Sequence, residues 1–308
     1  MGKFFEKINP FFIGPKFKIE FDTPQKEDWI RIVSDCRKKI TITEKREIIE
    51  FVFNDNLELK NFYPIHIVLL SCFIDEIKSK GYLVQLDIKN KELYRYLFSE
   101  INLTNYWGKE KVDHVDSPTI TDLNIWRITE NMKESYSISV HDYFKRSYFV
   151  GHDLSAFKNS LNELYCNVFD HANAGGNSFS FIRYDKADRK INVAICDFGT
   201  GIANTLRNKY IEYQNDCEAL ENSIKIGISA KSQKHNRGFG LDNVASALQK
   251  DDTMRIVSNQ ALLRILDNKS NVKSYELDFD FKGTLIYFEI SIDSFEEEEI
   301  LEDFSLFY

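Results

Sequence analysis

The chain has 308 residues, 43% hydrophobic and 29% charged, with 25 Phe and 15 Tyr, a composition that excludes a disordered chain and leaves room for two cored domains. Forty Lys and Arg against 48 Asp and Glu give a net charge of −8, which excludes a general polyanion-binding field and makes nucleic acid an unexpected partner. Five scattered cysteines without CxxC spacing, no secretory h-region and no apolar run near the length of a membrane span argue against zinc, disulfide and membrane classes, and point to a cytoplasmic protein.

KFKIEF (16–21) and REIIEFVF (46–53) are rich in β-branched and aromatic residues and read as strands. FYPIHIVLLSCFIDEIKSKG (62–81) reads as a helix, with Pro64 suited to its first turn and Gly81 to its end. YLVQLDI (82–88) is predicted as a buried strand and KELYRYLFSEI (91–101) as an amphipathic helix, so the first third is a small α/β unit. GKEKVDHVDSPTI (108–120), polar and Pro-containing, reads as a linker.

Beyond it, NIWRIT (124–129) is predicted as a short strand and SVHDYFKRSYF (139–149) as a helix. Asp153 is placed as the N-cap of a long helix running to about Ala172. NSFSFIRY (177–184) and KINVAICD (190–197) read as adjacent strands, followed by a Gly-containing and then polar segment to Arg237. A helix is expected from Leu241 to about Gln249, then three strands: MRIVS (254–258), YELDFDF (275–281) and GTLIYFEI (283–290). FEEEEILEDFSLFY reads as a solvated acidic stretch, or as a docking tail for a partner.

One stretch spends its polar residues oddly. In ELYCNVFDHANAGG (163–176), Glu163, Asn167 and Asp170 stand at i, i+4 and i+7 and form one stripe. Leu161, Leu164, Val168 and Ala172 form an apolar stripe beside it, which alone suffices to seat a helix. Asn167 offers a neutral oxygen for a hard divalent cation otherwise held by phosphates and water, and Glu163, one turn away, could orient or deprotonate a nucleophile there. Two further clusters follow: DFGTGI (Asp197 to Ile202) directly after an apolar strand, and NRGFGL (Asn236 to Leu241) directly before a helix. Asp197 can accept hydrogen bonds from an exocyclic amine such as that of adenine. Gly199 and Gly201 let the backbone approach a flat ligand. Gly238 and Gly240 let amides face a phosphate at a helix N-terminus. Taken singly, each has an ordinary reading: a turn, a solvated glutamate, a capped loop. The P-loop pattern GxxxxGK[ST] is absent.

The ordered set resembles the GHKL superfamily of ATP-binding domains, shared by gyrase, heat-shock chaperone, histidine kinase and mismatch-repair ATPases. ELYCNVFDHA looks like its N box, DFGTGI its first glycine box, NRGFGL its second and GTLIYFEI its last element, over about Asp153 to Ile292. The resemblance implies an α/β sandwich, a mixed sheet with helices on one face, with a nucleotide under a lid at about 203–237. It implies Glu163 as general base or water-positioning residue and Asn167 as magnesium ligand. Asp197, assisted by Thr284, would read adenine; Gly199, Gly201 and Ile202 would shape the pocket. Gly238, Gly240 and the amide of Leu241 would face the phosphates. Lys231 and Arg237, in the lid, either reach the γ-phosphate or are merely solvated. His171, four residues after Asn167, is similar to the anti-sigma serine-kinase branch, and completing a helix end is its other reading.

The strand–helix order of 1–112 is similar to a STAS domain, with a generic small α/β partner domain as the alternative. LELKNFYPIHI carries Asn61 and Tyr63 but no Ser or Thr where such domains are phosphorylated, which leaves a docking or regulatory role. The expected organisation is therefore 1–112 followed by an ATP-binding domain at 113–308. The expected function is a magnesium-dependent, ATP-hydrolysing regulator whose lid signals to a protein partner; a homodimer is compatible with it. A serine/threonine kinase acting on a STAS-like partner is one alternative, and a non-catalytic nucleotide-sensing module in a stress or defence system another. None of the six histidines (66, 114, 141, 152, 171, 235) lies in a His-Glu phosphoacceptor signature, which argues against a histidine kinase.

Overall fold

The fold is α/β, seen in a computed structural model that describes residues 2–4, 16–43, 47–107, 122–129, 131–168, 176–225, 240–266 and 269–297. Two sheets organise it, the first mixed and the second antiparallel where the resemblance implied a mixed one. The first contains β1 (Gly2–Phe4), β2 (Lys16–Phe21), β3 (Ile48–Phe53) and β4 (Leu83–Ile88) in the order β1-β4-β3-β2. β2, β3 and β4 run parallel, and β1 joins β4 antiparallel. The crossovers are α1 (Lys26–Lys39) and α2 (Pro64–Ser79), as parallel neighbours require. Pro64 opens α2 at a position where its missing N–H costs nothing.

The second sheet is antiparallel, in the order β5-β6-β7-β9-β8. Its strands are β5 (Asp122–Arg127), β6 (Ser178–Asp185), β7 (Lys190–Asp197), β8 (Thr253–Leu266) and β9 (Asn271–Ser291). Both of its faces are buried, in alternation. Phe179, Phe181, Ala194, Cys196, Leu285 and Tyr287 enter one hydrophobic cluster together with α1, α2 and the first sheet. Ile182, Val193, Ile195, Ile286 and Phe288 enter a second cluster, under α4 (Lys133–Ser147), α5 (Ser155–Asn167) and α8 (Gly240–Ala247). Helices of its own half cover one face, as the α/β sandwich reading has it, while α1 and α2 lie between the two sheets and cover the other. The layers are also tied by polar contacts. Arg127 on β5 bonds to Asp75 on α2 at 3.0 Å, both side chains about nine-tenths buried, and Asn177 donates to the carbonyl of Cys72.

Several elements differ from the sequence reading. α1 was not anticipated. The helix expected over 91–101 is α-helical only over α3 (Lys91–Arg95) and continues as a π turn over Tyr96–Glu100. Ser155 begins α5, and Asp153 serves it from outside: its carboxylate accepts from the Ser155 amide at 2.8 Å. The polar segment after DFGTGI contains α6 (Ile202–Lys209) and α7 (Asp216–Asn222), joined by an Arg207–Asp216 ion pair, with Ala203, Leu206, Ala219 and Leu220 in the core. The last three expected strands are two. YELDFDF and GTLIYFEI are one 21-residue strand, since Gly283 adopts φ +132° and lets the chain bend while β8 follows through register shifts around Asn259. All five cysteines are free. Among the described residues no helix is long and apolar enough to cross a membrane.

Candidate functional site

The site begins where β7 ends. Asp197 is its last residue and lies in register with Thr284 of β9; both are buried, at 3% and 6% exposure. The Asp197 carboxylate accepts from the Gly199 amide at 2.9 Å and from the hydroxyl and amide of Thr284. Burial pushes the Asp197 carboxyl up to about 7, against the opposing pull of those donors and of the Arg37 charge. A buried carboxyl satisfied on one side by fixed donors still has lone pairs to offer an amine on the other.

Gly199 and Gly201 follow. Gly201 has φ +88°, and a Cβ there would lie 2.4 Å from Asn259 Oδ1 and 2.8 Å from both Ser258 Oγ and the Gly283 carbonyl. The turn is therefore pressed against β8 and β9, and only glycine fits it. Ser258 and Asn259, which sequence reasoning missed, hold it there. Asn259 accepts from the Asn204 amide at 3.0 Å and donates to the Thr200 carbonyl, while Ser258 accepts from the Ala203 amide at 3.3 Å. These bonds use the first amides of α6, so its N-terminus is occupied by protein groups. The signal in the sequence was slight, a Ser-Asn pair directly after an apolar run; in the structure Asn259 adopts a positive φ.

The polar stripe on α5 is placed as the helical spacing requires. Leu161, Leu164 and Val168 are buried in the sheet-facing core, and Glu163 and Asn167 are half-buried one turn apart. α5 packs on α8, whose first residue is Gly240. Leu241 and Ile202 are both core side chains, which leaves their backbones as the groups available to a ligand. Lys269, in the turn between β8 and β9, pairs with Asp242 in the first turn of α8. Lys231, Arg237, Gly238, Asp170, His171 and Ala172 lie outside the described residues.

Among the described residues no group of three His, Cys, Asp or Glu could enclose a metal. A divalent cation here would draw on Asn167 plus oxygens of a bound phosphate and water. The Asn167 amide nitrogen is enclosed and has no hydrogen-bond partner among the described residues, which leaves a donor for an acceptor oxygen of a bound group; the carboxamide oxygen is the atom a cation would need.

No protein-family model matches the chain, and no curated protein matches it. Among solved structures it is similar to a topoisomerase IV ATP-binding domain of Francisella tularensis in complex with a small-molecule inhibitor, at 17% identity and a TM-score of 0.25. The match covers 39% of this chain and about a third, 32%, of that one.

Proposed function

We propose that this chain binds ATP with magnesium and hydrolyses it slowly, as a regulatory switch that reports to a protein partner. The observation that carries the reading is the buried Asp197, held by Gly199 and Thr284 at the ends of two paired strands. In this reading Asp197 accepts the exocyclic amine of adenine, and the glycines at 199 and 201 admit the ring. The backbones of Gly240 and Leu241, with Gly238, face the phosphates at the α8 N-terminus. The α6 N-terminus does not compete, since Ser258 and Asn259 cap it. Asn167 holds the magnesium, which when bound neutralises phosphate charge. Glu163 orients the attacking water and accepts its proton. Lys231 and Arg237 are the candidates for γ-phosphate contact. The lid expected over 203–237 does not include α6 and α7, whose Ala203, Leu206, Ala219 and Leu220 are core side chains, and residues 1–112 form the docking or regulatory part of the protein.

The test is ATP binding by calorimetry. The amine donates to the carboxylate, so binding favours the ionised form; with Asp197 near 7 in the free protein, affinity falls as pH drops below that value and a proton is released on binding. Asp197→Asn puts an amide where the acceptor was and is expected to weaken binding about a hundredfold and to remove the pH dependence. Wild-type affinity in Asp197→Asn would sink the adenine assignment.

A further inference from the structure

Arg37 sits at the last turn of α1, 160 positions before Asp197 in the chain, and its side chain is only 9% exposed. Its guanidinium carbon lies 3.6 Å from the centroid of the Phe198 ring, the residue between Asp197 and Gly199. Its Nη1 donates to the carbonyl of Lys282 at 2.5 Å, immediately before Gly283 and Thr284. Its Nε is fixed by Glu76 of α2, also at 2.5 Å, and Glu76 is in turn held by Lys80 at 2.9 Å.

Each contact lands on a backbone segment that positions the base-reading pair. Phe198 is the hinge through which Asp197 Oδ1 receives the Gly199 amide. Lys282 and Gly283 lead into Thr284, and the Gly283 backbone runs so close to Asp197 that a Cβ would lie 2.2 Å from the Asp197 carbonyl. One planar, five-donor group thus spans both strand ends from behind, a geometry that a lysine, with a point charge and no flat face, does not reproduce. Phe198 is itself kept in place by Phe281, edge-on at 5.9 Å.

We infer that Arg37 is a positioning residue for base recognition: through Phe198 and Lys282 it holds Asp197 and Thr284 in the geometry that distinguishes adenine, and so ties that recognition to the seating of α1 and α2. The inference rests on the adenine-pocket reading of Asp197. It gives the layer between the two sheets a direct mechanical hold on the site, because moving α1 relative to β9 moves the clamp. The Arg37 charge acts in the same direction, since it favours the ionised acceptor form of Asp197.

The experiment compares ATP and GTP dissociation constants by calorimetry for the full chain and for Arg37→Gln, with thermal unfolding alongside. Glu76 keeps its Lys80 partner in Arg37→Gln, so no buried charge is stranded. The expected result is an ATP affinity lowered about tenfold, with GTP binding through the phosphates changed much less, so that the preference for ATP collapses. Arg37→Lys is expected to lose part of the preference as well, and it decides the question if Arg37→Gln does not fold. An unchanged ATP-to-GTP ratio, even with lowered thermal stability, would make Arg37 structural only and overturn the inference. Wild-type protein that binds no ATP would instead overturn the pocket itself, and the inference with it.

Discussion

The role proposed for Asp197 opposes its contribution to stability. Buried at 3% exposure, its carboxyl is raised from the ordinary aspartate range to about 7 because burial disfavours the charge. The folded chain thus binds this proton more tightly than the unfolded one, so the stability it confers is fully present below about pH 4 and is lost as pH rises to about 7. Above that value the ionised side chain is a standing cost, up to about 4 kcal/mol for a rise from 3.8 to about 7. Asp197→Asn should therefore flatten the rise-with-acidity of the ligand-free protein between pH 5 and about 7 and unfold at higher urea than wild type at pH 8. Urea midpoints across pH measure this directly, and a variant less stable than wild type at pH 8 would contradict it. A single substitution that stabilises the empty fold while removing ATP binding is the behaviour expected of a functional side chain placed against its own desolvation.

At the scale of elements, the β7–β9 pair is where sequence legibility ended and geometry began. The apolar runs within SFSFIRYD and KINVAICD made β6 and β7 readable, and the end of the second placed Asp197. The helical stripe of Glu163 and Asn167 was readable for the same reason, because its period is local. α1 was not: KEDWIRIVSDCRKK is heavily charged, and Trp29, Ile30 and Val33 bury against the other α1–α2 layer residues and β9, a partner more than 240 positions away. Ser258 and Asn259 were invisible because their work is to cap α6, a contact made only by the tertiary fold. Lys282 separated two expected strands, 275–281 and 283–290, where the chain runs as one strand with a bend at Gly283. Gly283 tests that bend. Its φ of +132° disfavours any side chain, and an added Cβ would meet the Asp197 carbonyl and the Phe198 Cα, both backbone. Gly151 has φ +85° with nothing within 4 Å of the added carbon. Gly151→Ala should cost only the conformational strain, about 1 kcal/mol, and Gly283→Ala about 3 kcal/mol or more, with ATP binding impaired in parallel. Equal urea midpoints for the two variants would remove the claim that the bend is clamped.

Over the whole molecule, the second sheet is a wall shared by two cores. One face belongs to the α4, α5 and α8 layer that carries Glu163, Asn167 and Gly240; the other belongs to α1, α2 and the first sheet. Asp197 and Thr284 stand at the rim of that wall, where a change in either core reaches them. Such a placement suits the switch proposed above, in which binding energy spent on seating a nucleotide would be available to shift the packing of the opposite layer. What happens to the terminal phosphate then decides what the switch is for. With γ-labelled ATP and magnesium, the proposed chemistry releases free phosphate slowly, and Glu163→Ala should keep ATP affinity while losing phosphate release about a hundredfold. The separation of binding from release matters, because Glu163 lies on α5 while Asp197 and Thr284, the proposed adenine pair, lie on β7 and β9, so the two proposed functions reside on different elements. Label transferred to a protein partner would redirect the output from water to a hydroxyl acceptor and make the chain a kinase. Unchanged phosphate release in Glu163→Ala would remove that residue from the chemistry and leave the polar stripe of α5 to Asn167 alone.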